Sequence, residues 1–125
     1  MGLRILVVED QADIQLTLRL ALEVDGYEVV AAENAADALA ALEQATPDLM
    51  LLDVTLPRVS GWDLLASIRR DERFGALPII ILSALPGDQV RRRAAELGAT
   101  DHLEKPFDVR TLERIVERAL GGRGS

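Results

Sequence analysis

Hydrophobic and polar positions along this chain alternate between two patterns. Short runs of consecutive apolar residues mark strands covered on both faces, and they fall at Leu3 to Val8, Leu49 to Leu52 and Ile79 to Leu82. Two weaker runs, Glu28 to Ala32 and His102 to Glu104, bring the set to five. Between the runs, apolar residues recur at helical spacing. The first such stretch is expected to start on Asp13 as its cap, to turn Ile14, Leu18, Ala21 and Leu22 inward, and to stop at Asp25-Gly26. It carries a second apolar set, Leu16, Leu20 and Val24. That set is either largely buried, harmlessly exposed or a docking surface. Asn34 is expected to cap an Ala-rich helix to about Gln44, with Leu39 and Leu42 inward, before Thr46-Pro47 breaks it. A loop with Pro57 and Gly61 leads to a helix from about Trp62 to Arg70. Pro86-Gly87-Asp88 opens a fourth helix that ends at Gly98, and Asp108 caps a fifth that runs to about Leu120.

Five strand-helix units of this length predict an α/β fold: a single doubly wound, five-stranded parallel sheet with five helices on its two faces. The natural strand order is 2-1-3-4-5, with ligands beyond the carboxyl ends of the strands, at the switch point between strands 1 and 3. Residues 1–120 then form the domain, and 121–125, Gly-Gly-Arg-Gly-Ser, read as a flexible tail or linker.

Composition narrows the functions. With 125 residues, 49% of them hydrophobic, the chain suits one globular core. A net charge of −7 disfavours direct nucleic-acid binding and docking on anionic membranes. The absence of cysteine excludes disulfides, thiolate metal sites and Cys nucleophiles, and it fits a reducing cytoplasm. His102 is the only histidine, so a multi-His metal site is excluded. No apolar run approaches the roughly 20 residues of a membrane span. The start, Met1-Gly2-Leu3-Arg4, runs directly into the first strand, so no signal peptide is expected.

The switch-point rule turns the fold into a test of chemistry. Glu9 and Asp10 follow strand 1, Asp53 ends strand 3, Ser83 follows strand 4 and Lys105-Pro106 follows strand 5. Each has an ordinary explanation alone: a solvated turn, a capping Asp, a surface Ser or Lys. Together they put three carboxylates, a hydroxyl and an ammonium at one edge of the sheet. Three adjacent carboxylates repel one another and raise their pKa values unless a cation enters. Lys105 supplies one positive charge and a hard divalent cation two more, which neutralises the set. With few protein oxygens available, Mg²⁺ is the expected ion.

These residues resemble the response-regulator receiver domain. The resemblance is carried by Ile5-Leu6-Val7-Val8-Glu9-Asp10, Pro47-Asp48-Leu49-Met50-Leu51-Leu52-Asp53, Leu56-Pro57 with Gly61, Ser83-Ala84, and Gly98-Ala99 through Lys105-Pro106-Phe107. It covers the chain to Leu120 and implies a flavodoxin-like fold. It also implies a signalling switch rather than an enzyme in the ordinary sense, with intrinsic phosphotransfer and self-catalysed dephosphorylation. Asp53 would accept a phosphoryl group from a phosphohistidine. Asp10, Asp53 and the Thr55 carbonyl would bind Mg²⁺, and Glu9 would act on it through water. Lys105 would pair with Asp53 and then with the phosphoryl oxygens, Ser83 would move inward to donate a hydrogen bond, and Lys105-Pro106 would be cis. Gln11 and Ile14 would contact the partner, a sensor histidine kinase or histidine phosphotransfer protein. A phosphorylation-dependent dimer is left open.

Two departures and three rivals bear on this resemblance. Where Tyr or Phe is usual as the inward-turning switch residue, this chain has His102, which is either a titratable switch element or a plain strand residue. Thr111 and Ile115 replace the Glu and Arg that winged-helix regulators use for their dimer contacts. Among rivals, a phosphohydrolase with an aspartyl-phosphate intermediate needs a second Asp two residues past the nucleophile, where Thr55 stands. A binding module that has lost its chemistry would not need the five site residues, and a flavin carrier would need more aromatics.

Overall fold

The computed structural model describes residues 2–121. Its elements follow in the order β1 (Arg4–Val8), α1 (Ala12–Val24), β2 (Glu28–Ala32), α2 (Ala35–Gln44), β3 (Leu49–Asp53), α3 (Gly61–Arg70), β4 (Ile79–Ser83), α4 (Gly87–Glu96), β5 (Asp101–Glu104) and α5 (Val109–Ala119). All strand pairings are parallel and the order is β2-β1-β3-β4-β5, as the pattern predicts.

Two-residue periodicity divides the core. Leu6, Val8, Met50, Leu52, Ile79 and Ile81 project towards α2, α3 and α4. Ile5, Val7, Leu49, Leu51, Ile80 and Leu82 project towards α1 and α5. Strands β3 and β4 are buried along their whole length, which explains their unbroken apolar sequence. Strand β2 lies at the edge and stays partly exposed, in keeping with its weaker pattern.

Several local expectations are corrected. Helix α1 is capped by Gln11, without a side-chain bond, and Asp13 lies inside its first turn. There its carboxylate still meets the positive end of the helix dipole. Leu39 is exposed, and the inward stripe of α2 is Ala35, Ala38 and Leu42, whose small members let the helix lie close to the sheet. Ser60 caps α3 by accepting a hydrogen bond from the Asp63 N–H at 3.2 Å, so that helix begins at Gly61. An unexpected 3₁₀ turn over Glu72–Phe74 buries Phe74. The caps Asn34 and Asp108 are as expected. On α1, Leu18 and Leu22 are fully buried while Leu16, Leu20 and Val24 face solvent. Gly122 to Ser125, the bulk of the expected tail, and Met1 lie outside the described residues.

Gly61 holds α3 against the end of β3. A Cβ there would stand 2.6 Å from the Val54 Cα and collide with the Asp53 carbonyl, all of it backbone that cannot swing away. Gly61→Ala is therefore expected to destabilise the fold by about 1–3 kcal/mol or more. Gly75→Ala, where a Cβ meets nothing nearer than 3.7 Å, should change stability by no more than about 0.5 kcal/mol. Urea unfolding of both variants checks the contrast.

Candidate functional site

Adjacency of β1 and β3 brings Glu9, Asp10 and Asp53 to the same sheet edge, as the switch-point rule requires. One carboxylate oxygen from each lies within 4.8 Å of the others. The three differ in environment: Glu9 and Asp53 are buried, at 0% and 3% exposure, while Asp10 is open to solvent. Lys105 reaches this cluster from beyond β5. Its Nζ lies 2.6 Å from Glu9 Oε1 and 3.3 Å from Asp53 Oδ2. The sequence reading paired Lys105 with Asp53; the structure gives Glu9 the shorter contact.

Backbone groups complete the positioning. Asp53 Oδ1 accepts from the Thr55 N–H at 3.0 Å, and Glu9 Oε2 accepts from the Gln11 N–H at 3.1 Å. The Lys105 N–H donates to the Ser83 carbonyl at 2.7 Å, tying the turn after β5 to β4, and Lys105-Pro106 is cis. Ser83 is buried, and its Oγ accepts from the Leu85 N–H at 3.0 Å. A cavity of about 230 Å³ collects Asp10, Gln11, Asp53, Thr55, Ala84 and Lys105 around one opening. His102 stands apart from that cavity: it is in register with Ile81, and its ring lies beside Gly87 at the start of α4. Ile14 is half-buried one turn into α1.

Charge follows from burial. Desolvation is the largest influence on Glu9 and raises its pKa to about 7, with Asp53 adding to the rise and Lys105 opposing it. The expected carboxylate repulsion is present, but loss of water outweighs it. For Lys105, burial works against the charge, yet Glu9 and Asp53 prevail and its pKa is raised. A set of clustered, hard oxygen donors with a partly hydrated member suits a small divalent cation.

Two contributors were missed in the sequence. Gln15 Nε2 donates to the Glu9 carbonyl at 2.9 Å and steadies the β1–α1 loop from inside the helix. Glu104 Oε1 accepts from the Gly87 N–H at 3.0 Å at the start of α4. An acidic residue at a strand end, next to the singled-out Lys105, was a readable signal for Glu104. Gln15 had none beyond its place one turn past the loop.

Comparison with known proteins agrees with this geometry. Residues 5–117 match the family described as the response regulator receiver domain. The chain is 41% identical over 123 residues to the phosphate regulon transcriptional regulatory protein PhoB of Pseudomonas aeruginosa, covering 98% of this chain and 54% of that protein. It is 32% identical to Protein PilH of the same organism, covering 95% of this chain and 98% of PilH. The chain thus spans about half the length of the larger regulators it matches and nearly all of the small one. Among solved structures, the receiver domain of NtrX from Brucella abortus superposes with a TM-score of 0.87 at 35% identity, covering 94% of this chain and 98% of that one. The chemotaxis response regulator CheY4 of Vibrio cholerae gives 0.90 at 28% identity, covering 95% and 99%.

The raised pKa of Glu9 predicts a pH dependence. The folded protein binds a proton at Glu9 more tightly than the unfolded chain does, so this contribution favours folding below about 4.5 and is lost as pH rises to about 7. Thermal melts in EDTA across that window should show a steeper decline for the wild type than for Glu9→Gln. Parallel curves would contradict the assignment.

Proposed function

The chain belongs to the response regulator receiver domain family of two-component signalling, and from that membership we propose that it carries a phosphoryl group on Asp53, taken from a phosphohistidine in the presence of Mg²⁺. The observation that carries this reading is the meeting of three carboxylates within 4.8 Å, two of them contacted by Lys105. Asp10, Asp53 and the Thr55 carbonyl would hold the ion, with Glu9 acting through water. When bound, Mg²⁺ neutralises carboxylate and phosphoryl charge and lets the two approach.

An ionised Asp53 needs no general base. One of its oxygens attacks phosphorus in line, the P–N bond to the donor imidazole breaks, and the bonding pair leaves with the nitrogen. The backbone bond from Thr55 and the contact with Lys105 fix the direction of attack, which matters more for phosphoryl transfer than covalent assistance. The acyl phosphate brings roughly one additional negative charge. Lys105 and Ser83 are the groups that answer it: the ammonium follows the phosphoryl oxygens, and the Ser83 hydroxyl turns its proton towards them. That inward shift of the β4–α4 loop is the switch, with His102 on the neighbouring strand as its second element. Gly87, where that loop enters α4, lies beside the His102 ring, so a shift of the loop would repack that side chain.

Gln11, on the rim of the cavity, and half-buried Ile14 form the contact for a histidine kinase or histidine phosphotransfer protein. The exposed set Leu16, Leu20 and Val24 lies on a separate stripe of α1 and is a second apolar surface on that helix. Among the described residues no helix is long and apolar enough to cross a membrane. Transfer from a histidine kinase or histidine phosphotransfer protein is the reading under which we propose that the protein works in the cytoplasm.

Treatment with acetyl phosphate and Mg²⁺ should add one phosphoryl group by intact mass, and Asp53→Asn should abolish it; undiminished labelling of that variant would overturn the proposal.

The acyl phosphate should also be long-lived. Its hydrolysis needs a water in line with Asp53; the family resemblance places Thr55 and Leu85, two residues beyond Asp53 and Ser83, beside that path, and neither carries an amide or carboxylate to orient water. Leu85→Asn should shorten the lifetime several-fold in a phosphate-release assay, whereas Ser83→Ala should impair switching more than lifetime.

A further inference from the structure

The three carboxylates of the site are not held alike. Glu9 meets Lys105 and the Gln11 N–H, and Asp53 meets Lys105 and the Thr55 N–H. Asp10 is open to solvent, and among the described residues no hydrogen bond or ion pair reaches its carboxylate. Its direction is therefore set by the backbone that carries it.

That backbone is gripped from α1. Half-buried Gln15 donates through Nε2 to the Glu9 carbonyl at 2.9 Å, and the same nitrogen lies 3.5 Å from the Ala32 carbonyl at the end of β2. The Ala32 carbonyl also accepts from the Glu9 N–H at 3.0 Å. Gln15 is itself anchored in the first turn of α1, where its N–H donates to the Gln11 carbonyl at 2.9 Å. The Glu9 carbonyl belongs to the peptide unit that joins Glu9 to Asp10. A peptide unit is planar from one Cα to the next, so a bond that fixes its oxygen also fixes the rotation of the plane and the place of the Asp10 Cα.

We infer that Gln15 is a positioning residue for the metal site: its amide holds the Glu9–Asp10 peptide plane and so aims a carboxylate that no bond of its own orients. This rests on the reading of Asp10 as a Mg²⁺ ligand and adds to it a residue that touches neither the ion nor the phosphoryl group. Loss of aim bears unequally on different ions. Mg²⁺ demands near-ideal geometry, whereas Ca²⁺ accepts flexible arrangements. The amide therefore governs the preference for Mg²⁺ over Ca²⁺ more than the affinity for cations in general.

The experiment measures the dissociation constants of Mg²⁺ alone and of Ca²⁺ alone by amide NMR shifts, with no phosphodonor present. Gln15→Met keeps the length of the side chain and removes its donor. It should weaken Mg²⁺ binding about tenfold, the scale of a lost outer-shell partner, and Ca²⁺ binding by no more than about twofold. Gln15→Arg keeps an N–H donor and adds a positive charge, which opposes both divalent ions alike. Its Mg²⁺-to-Ca²⁺ preference should stay within about twofold of the wild type. If Gln15→Met does not fold, Gln15→Ala removes the same donor and keeps the best helix former. An unchanged preference in the variant lacking the donor would overturn the inference, by assigning Gln15 to the fold alone. So would an equal loss of preference in Gln15→Arg, since the donor would then not be its source. Failure of the wild type to bind Mg²⁺ would overturn the metal reading of Asp10 itself, and this inference with it.

Discussion

Glu9 and Asp53 are withdrawn from water and share one ammonium, and the rest of the site is arranged around that contact. Two buried carboxylates side by side would be costly without a counter-charge, and a buried pair that loses one partner is costlier still. The sheet order creates the difficulty by making β1 and β3 neighbours. The turn after β5 resolves it by folding back over β4, where the Lys105 N–H meets the Ser83 carbonyl. The position of Lys105 thus depends on β4 through its backbone and on β1 and β3 through its side chain. The same contact leaves the cluster short of positive charge, which is the electrostatic opening for a divalent cation.

Burial then sorts the carboxylates by task. Asp10, in water, keeps the ordinary freedom of an exposed acid to meet a hydrated ion. Glu9, fully enclosed, is raised to about 7 by desolvation and bound most closely to Lys105. Asp53 sits between these extremes, steadied by the Thr55 N–H and facing the cavity. Residues adjacent in sequence, Glu9 and Asp10, thus end up with opposite environments: Glu9, just past the end of β1, is still tied to the Ala32 carbonyl through its N–H, and Asp10 has entered the exposed loop.

Much of this was legible in the sequence. Unbroken apolar runs identified β3 and β4 as central strands, and reading off the residues at the strand ends named Glu9, Asp10, Asp53 and Lys105, which the structure brings together. The misses share a cause. Asp13 looked like a cap because Asp is a good one, but the chain turns into α1 two residues earlier, where the Gln11 backbone does that work. Leu39 looked like core because it is large, yet α2 lies so close to the sheet that alanines fill its inner face. The pairing of Lys105 with Asp53 is present, but the still shorter contact with Glu9 depends on how the last turn folds over the sheet, which residue type and spacing do not encode. Gln15 and Glu104 act through backbone partners whose positions exist only once the sheet is assembled.

The bond from the Gly87 N–H to Glu104 has a mechanical meaning. Glu104 and Lys105 are successive residues, one gripping the first turn of α4 and the other reaching Glu9 and Asp53. Both side chains spring from one short stretch of backbone, so a shift of that backbone reaches both. The end of β5 is in effect a rocker with a load at each arm: under the proposed switch, a backbone shift that followed the ammonium would carry with it the carboxylate that anchors the helix. A helix start held by one side-chain tether and no cap of its own is a light load, and α4 is therefore the part of the surface on which a change of charge at the sheet edge can be felt at a distance.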